Sequence, residues 1–283
     1  MDMMDNFVAY VYEAAYIALE SGYFEGNCCL GSHALTAMER ILKAFVIDGR
    51  EQCESYILEN ESLSNRQRAK LLYNKCSESE KKEFFSQLTY DELILYHSAN
   101  FDISREYGNY LGEKFSMDNM RIADIGGSSG GLLTGIADRC KNIFSAVFDT
   151  EAACETGRSI NDNIEFIPCD FFSPDFGGRE FDVVILSNIL HDWEDEKVIL
   201  LLNNIKPILE NCKYLIIHED ILDNSGLAPV ETLVYGLRLA INVSGGFQRT
   251  FSQLDLLADG IGCGVKGYKR LNFAPLSACI YNK

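Results

Sequence analysis

Proline is scarce in this chain and absent before Pro168; only five occur in 283 residues. Nothing in the first half therefore interrupts a helix by deleting a backbone donor. Histidine is rarer still, with four, and tryptophan occurs once. The ten cysteines (28, 29, 53, 76, 140, 154, 169, 212, 263 and 279) form no CxxC pair. With so few histidines, no zinc-like spacing and no disulfide framework emerges, and no metal is expected. Several cysteines sit in apolar patterns, where the thiol behaves as a small hydrophobe, so reduced intracellular thiols are predicted. No apolar run approaches the roughly 20 residues that span a bilayer. The opening MDMMDNFVAY lacks both a basic region and a long apolar core, so no secretory leader and a cytoplasmic location are expected. Positive charge is short as well: 25 Lys and Arg face 42 Asp and Glu, a net −17. That balance repels nucleic acid and anionic membranes, and neither is expected as a partner.

What is present is ordinary globular material. Hydrophobic residues make up 47% and charged residues 24%, enough for one large or two modest domains. Residues 1–98 read as a helical domain: VAYVYEAAYIALESGYF, HALTAMERILKAFVI, YILENESLSNRQRAKLLYNKC and SEKKEFFSQLTYDELILYH carry apolar residues at three- and four-residue spacing. Ser77 and Ser79 precede acidic residues and suit the N-terminus of a helix there. Residues 99–283 form the second domain. From about Arg121 the runs RIADI, IFSAVF, NIEFI, DVVILS and YLIIHE alternate with helical patterns. Strands separated by helices predict an α/β fold with a parallel, Rossmann-like sheet. CGVKGYKRLNF and LSACIYN, joined by a short link, predict a terminal antiparallel hairpin.

The segment FDVVILSNILHDW combines structure with chemistry. FDVVILS is unbroken and apolar, as in a strand buried on both faces. Ser187, Asn188, His191, Asp192 and Trp193 then fall at its C-terminal end, the edge where open α/β sheets bind ligands. A histidine there can accept a proton near neutral pH, or it can merely cap local backbone. Upstream, Asp124-Ile-Gly126-Gly127-Ser128-Ser129-Gly130-Gly131 follows the first strand and opens a helix. A dinucleotide fingerprint wants a second glycine where Ser128 stands, so the turn suits an amino-acid end better than a pyrophosphate, with Asp124 placed to hold an ammonium group. Asp149 ends the second strand, where a carboxylate can accept both ribose hydroxyls. Asp170 follows the third beside Phe171 and Phe172, an arrangement that can accept from an adenine amino group while a ring packs on the base.

DIGGSSGG, Asp149, CDFF at 169–172, SNILHDWEDEKVILLLNNIKPIL, IIHEDIL and GGFQRT together resemble the class I S-adenosylmethionine-dependent methyltransferases. More narrowly, they are similar to the small-molecule O-methyltransferases of the plant caffeate type and their antibiotic-pathway relatives. The resemblance covers roughly residues 99–283. It implies a Rossmann-like methyltransferase sheet and S-adenosyl-L-methionine as cofactor. It further implies His191 as catalytic base, Glu219 as the carboxylate that orients it, and Gln248 in the position of a further acidic residue. Cofactor-binding roles follow for Asp124, Gly126, Asp149, Asp170, Phe171, Ser187, Asn188 and Trp193. Methyl transfer from a sulfonium is an in-line displacement that needs alignment and a deprotonated acceptor.

Two features depart from that family. Gln248 replaces an acid, and an amide cannot add negative charge; a carboxyl methyltransferase forming a methyl ester on a peptide or acid is thus the alternative to methylation of a hydroxyl on a natural product or small aromatic. The region before the glycine turn is also shorter than the family's usual winged-helix dimerisation domain, a pared-down helical version of it; the homodimer through the N-terminal helices and the helical lid are implied by the resemblance, and the short length weakens both. A non-catalytic cofactor-binding protein would have lost His191 or Glu219, and both are present. His218, next to Glu219 in a strand, must face the other way. His33 and His97 belong to no motif. Tyr107 and Phe101 either line the pocket or pack between domains, and Glu231–Asn242 shapes the acceptor site.

Overall fold

A computed structural model describes residues 3–76, 84–243, 245–261, 267–272 and 276–282. The first part is helical: α1 (Met3–Glu20), α2 (Ser32–Ala44), α3 (Arg50–Glu59), α4 (Leu63–Cys76), α5 (Tyr90–Ala99) and α6 (Phe101–Lys114). There follow β1 (Arg121–Ile125), α7 (Gly131–Ala137), β2 (Phe144–Asp149), α8 (Glu151–Ile160), β3 (Glu165–Pro168) and β4 (Val183–Ser187). The remainder is α9 (Asp195–Asn204), α10 (Lys206–Leu209), β5 (Tyr214–Glu219), α11 (Val230–Asn242), α12 (Phe251–Gly260), β6 (Gly267–Asn272) and β7 (Ser277–Asn282).

The stretch 56–76, one helical pattern by periodicity, is two helices. The Asn60 side chain donates back to the Tyr56 carbonyl at 2.9 Å, and the Ser62 hydroxyl accepts the Asn65 N–H at 3.0 Å. Local side-chain bonds of this kind end one helix and cap the next. Helix α5 opens on a capping box in which Thr89 and Glu92 satisfy each other's backbone N–H. Ser77 and Ser79 lie outside the described residues.

The seven strands form one sheet in the order β3-β2-β1-β4-β5-β7-β6. Strands β1 to β5 pair in parallel, whereas β7 runs antiparallel to both β5 and β6. The α/β class and the terminal antiparallel hairpin are as the sequence predicts. Four consecutive residues of β4, Val183 to Leu186, are fully buried, as a central parallel strand requires.

The chain divides into two units, each built from separate segments. One consists of Met1–Phe84, His191–Glu194 and Ile221–Phe251; the other of Phe85–Leu190, Asp195–Asp220 and Ser252–Lys283. The sheet unit centres on Ile122, Leu133, Ile136, Val147, Val183, Ile185 and Ile216. In the helical unit, Val11, Ile17, Met38 and Ile41 pack with Leu233, Leu237 and Ile241 of α11. Buried within that unit, Glu13 accepts from Arg238 Nη2 at 3.0 and 3.1 Å and from Arg68 Nε at 3.0 Å. Both guanidinium groups lie over the Tyr10 ring, at 4.7 and 5.3 Å. The carboxylate is thus neutralised where it would otherwise be costly to bury. Among the described residues, no helix is long and apolar enough to cross a membrane.

Candidate active site

In the sheet unit, successive strands are added outward from β1 on one side and then from β4 on the other. The switch point therefore lies between β1 and β4, where such sheets open a crevice beyond the C-terminal strand ends. Asp124 sits one residue before the end of β1, fully buried, and neither carboxylate oxygen has a hydrogen-bond partner among the described residues. Burial, with the nearby Asp149, pushes its pKa up to about 8. Gly127 lies directly against it: a β-carbon there would meet Asp124 Oδ2 at 2.6 Å. Gly126 adopts φ +75° and donates to the Phe148 carbonyl at 2.7 Å; a β-carbon would strike Ile189 Cδ1 at 2.2 Å. The turn after β1 and the loop after β4 therefore meet because this residue has no side chain.

Asp149 closes β2, nearly buried. Its Oδ2 accepts the Ser128 N–H at 2.7 Å and its Oδ1 the Thr150 N–H at 2.6 Å. Burial raises its pKa, against these two N–H groups, His97 and a hydrogen bond from the Thr150 side chain. Asp170 is exposed after β3, and its Oδ1 accepts the Phe172 N–H at 2.9 Å. The amide of Asn204 on α9 holds the carbonyls of Phe171 and Phe172 at 3.2 and 2.9 Å, fixing the pair of rings.

After β4, the Ser187 hydroxyl bonds His218 Nδ1 at 2.8 Å. His218 is fully buried, its pKa is driven down to about 3 by desolvation, and its ring meets Tyr107 edge-on at 6.0 Å. It packs inside the sheet unit as a neutral imidazole. Asn188 takes a left-handed φ of 54° and donates to the His218 carbonyl at 3.0 Å. Glu219, at the end of β5, accepts the N–H of Leu190 at 2.6 Å and of Ile189 at 3.2 Å.

The helical unit holds His191, Trp193 and Gln248. His191 is buried, and desolvation together with Arg249 lowers its pKa while Asp192, 3.5 Å from Nε2, raises it. Its carbonyl accepts the Phe247 N–H at 2.9 Å, and Tyr235 of α11 meets its ring at 6.0 Å. Gln248 lies against Gly236 of α11, where a β-carbon would come within 3.2 Å of Gln248 Cγ. Its amide is buried, with neither the nitrogen nor the oxygen hydrogen-bonded among the described residues. Arg249 stacks on Phe247 at 4.1 Å and donates to the Trp193 carbonyl at 2.8 Å. His33 stacks on Phe247 at 4.1 Å, the two rings nearly parallel.

Three of these residues carry no signal in any motif. Tyr235 lies in the segment read as shaping the acceptor site, but nothing in its spacing singles it out. His33 and His97 look isolated in sequence, because their partners are 214 and 31 residues away. Only the serine in place of a glycine at position 128 hints that something must hold that turn.

Residues 85–263 match the model of the O-methyltransferase domain family. The chain is 27% identical over 192 residues to the mitomycin biosynthesis 6-O-methyltransferase of Streptomyces lavendulae, covering 64% of this chain and 54% of that protein. It is 36% identical over 135 residues to O-methyltransferase 12 of Dictyostelium discoideum, covering 46% and 37%. The chain thus spans about half or less of the length of these curated relatives. The crystal structure of human N-acetylserotonin methyltransferase, solved with S-adenosylmethionine, superposes with a TM-score of 0.65 at 20% identity, over 100% of this chain and 96% of that one. With the family model matching more than half of its residues, the chain belongs to the O-methyltransferase domain family.

Proposed function

We propose that this protein transfers a methyl group from S-adenosylmethionine to a hydroxyl of a natural product or small aromatic. The observation that carries the reading is Asp124: a buried carboxylate at the switch point of the sheet, with neither oxygen hydrogen-bonded among the described residues. Such a group fits a ligand bearing a cationic amino-acid end. Bound S-adenosylmethionine supplies an electrophilic methyl on a sulfonium.

The protein's own residues divide the remaining work. Asp124 holds the ammonium end, and the Gly126 turn takes the methionine end of the cofactor. Asp149 accepts the ribose hydroxyls, its carboxylate plane set by the Ser128 and Thr150 N–H groups and by the Thr150 side chain. Asp170 and Phe171 take the adenine, with Ser187, Asn188 and Trp193 flanking the cofactor. His191, kept neutral by burial, takes the proton of the acceptor hydroxyl, and the resemblance gives Glu219 the role of orienting it. Gln248 offers a donor and an acceptor to the acceptor molecule. Residues 1–98 act as lid and dimerisation element, in a cytoplasmic enzyme whose described cysteines are free thiols.

Calorimetry with S-adenosylmethionine and S-adenosylhomocysteine tests the cofactor, and absence of binding rejects the reading. Transfer of a labelled methyl to a panel of phenols and carboxylic acids tests the acceptor. Product stable in mild base is an aryl ether; product released by it is a methyl ester and replaces the hydroxyl reading by the carboxyl one. Sedimentation equilibrium reports whether the chain dimerises.

A further inference from the structure

We propose that His97 is a positioning residue of the cofactor turn, holding Ser128 in the left-handed conformation that aims its backbone N–H at Asp149. The identity of the ligand rests on the methyltransferase reading; the geometry does not.

Ser128 stands where a glycine is the natural choice. Its φ of 53° lies in the region that a residue with a β-carbon occupies only under constraint. The constraint is visible. Ser128 Oγ lies 2.6 Å from His97 Nδ1, and the next residue, Ser129, donates its hydroxyl to the His97 carbonyl at 2.8 Å. Two consecutive residues of the turn thus grip one residue of α5, by its ring and by its backbone. Helix α5 is a firm anchor, since its other end is closed by the Thr89–Glu92 capping box. His97 itself is buried, which keeps the imidazole neutral despite Asp149 nearby.

The consequence falls on Asp149. With Ser128 left-handed, its N–H donates to Oδ2 at 2.7 Å while Thr150 serves Oδ1. The carboxylate plane, which the Thr150 side chain also bonds, is thereby fixed for a vicinal diol. Released from His97, Ser128 relaxes toward negative φ, its N–H turns away, and a buried carboxylate loses one of its two backbone donors.

Titration calorimetry with S-adenosylhomocysteine on four proteins tests this: wild type, His97→Ala, Ser128→Gly and the double variant. His97→Ala weakens binding about tenfold, the loss expected for one buried hydrogen bond and its knock-on. In the Ser128→Gly background, where positive φ carries no steric penalty, the same His97→Ala change alters Kd by less than about twofold. His97→Asn, whose amide nitrogen occupies nearly the position of Nδ1, restores binding; His97→Phe, which keeps ring volume without the bond, weakens it and serves if the alanine variant does not fold. A merely structural role lowers the ligand-free Tm and leaves Kd unchanged, and that result overturns the proposal. So does an equal loss from His97→Ala in both backgrounds. If wild type binds nothing, the cofactor reading falls and this inference with it; if wild type binds and His97→Ala binds equally, only this inference falls.

Discussion

Glu219 Oε1 accepts the backbone N–H of Leu190 at 2.6 Å, and the next residue in the chain is His191. A carboxylate at the end of β5 therefore fixes the path of the chain just before the proposed base. The two duties of Glu219, holding backbone and supplying charge, separate by substitution. Glu219→Gln retains an oxygen acceptor for the two N–H groups, so its Tm stays within about 2 °C of wild type, while turnover of a methylated acceptor falls roughly 10- to 100-fold. Glu219→Ala leaves two buried N–H groups unmet and loses both stability and turnover. Equal turnover in wild type and Glu219→Gln would show that the charge is not needed.

Asp124 links ligand binding to a proton. A carboxyl with a pKa of about 8 is mostly protonated at pH 7, and a cation seated against it must ionise it. Binding of S-adenosylmethionine at pH 7 therefore releases close to one proton, seen as binding enthalpies that vary with the ionisation enthalpy of the buffer. Identical enthalpies in phosphate and Tris rule this out.

The same carboxyl burdens the ligand-free protein. Its folded pKa lies above the ordinary value of 3.8, so stability is greatest at low pH with respect to this group and is lost as pH rises toward 8. Asp124→Asn consequently raises the ligand-free Tm at pH 8 by several degrees, yet binds S-adenosylmethionine at least tenfold more weakly. Scanning calorimetry at pH 5 and pH 8 checks the sign, since the gain must be smaller at pH 5.

His191 sets the acid limb of the rate profile. Burial holds its pKa below the ordinary 6.5, so the imidazole remains unprotonated, and kcat/KM on a phenol holds its plateau to below pH 6.5 before falling. His191→Ala removes that limb along with most of the activity. An acid limb above pH 6.5 contradicts the assignment.

The position of much of the candidate site was legible, because its residues sit at the ends of short apolar runs. Asp149, Asp170 and Glu219 each follow a short apolar run, and the glycine turn follows another. The roles decided by tertiary contact were not legible. His97 matters through Ser128, and no spacing connects a helix residue to a turn 31 positions on. The break between α3 and α4 depends on two side chains, Asn60 and Ser62, bonding their own backbone inside a pattern whose apolar spacing continues unbroken. Likewise the apolar face of α11 announces burial without saying whether a sheet or other helices will cover it.

The Glu13 cluster predicts a stability effect away from the chemistry. Glu13→Ala strands Arg238, already 38% exposed, and Arg68 without their shared partner and costs about 2–3 kcal/mol, less than a fully buried triad would because water reaches both guanidinium groups. The first thermal transition falls by several degrees, with cofactor affinity retained, since Glu13 and the cofactor residues Asp124 and Asp149 belong to different units. An unchanged transition would mean that the cluster contributes nothing measurable.

The interleaving of the two units has a consequence for anyone who wishes to cut the protein. The chain changes unit at 84, 190, 194, 220 and 251, so no single scission yields either half intact. Removing residues 1–84 strips Leu233, Leu237 and Ile241 of the helices they pack on and leaves a bare apolar surface on the remaining fragment. A shorter catalytic piece is therefore to be sought by redesigning that surface, and a split-protein reporter has to be divided at an exposed position of one unit, such as Gly177–Gly178, with both fragments kept together from synthesis onward.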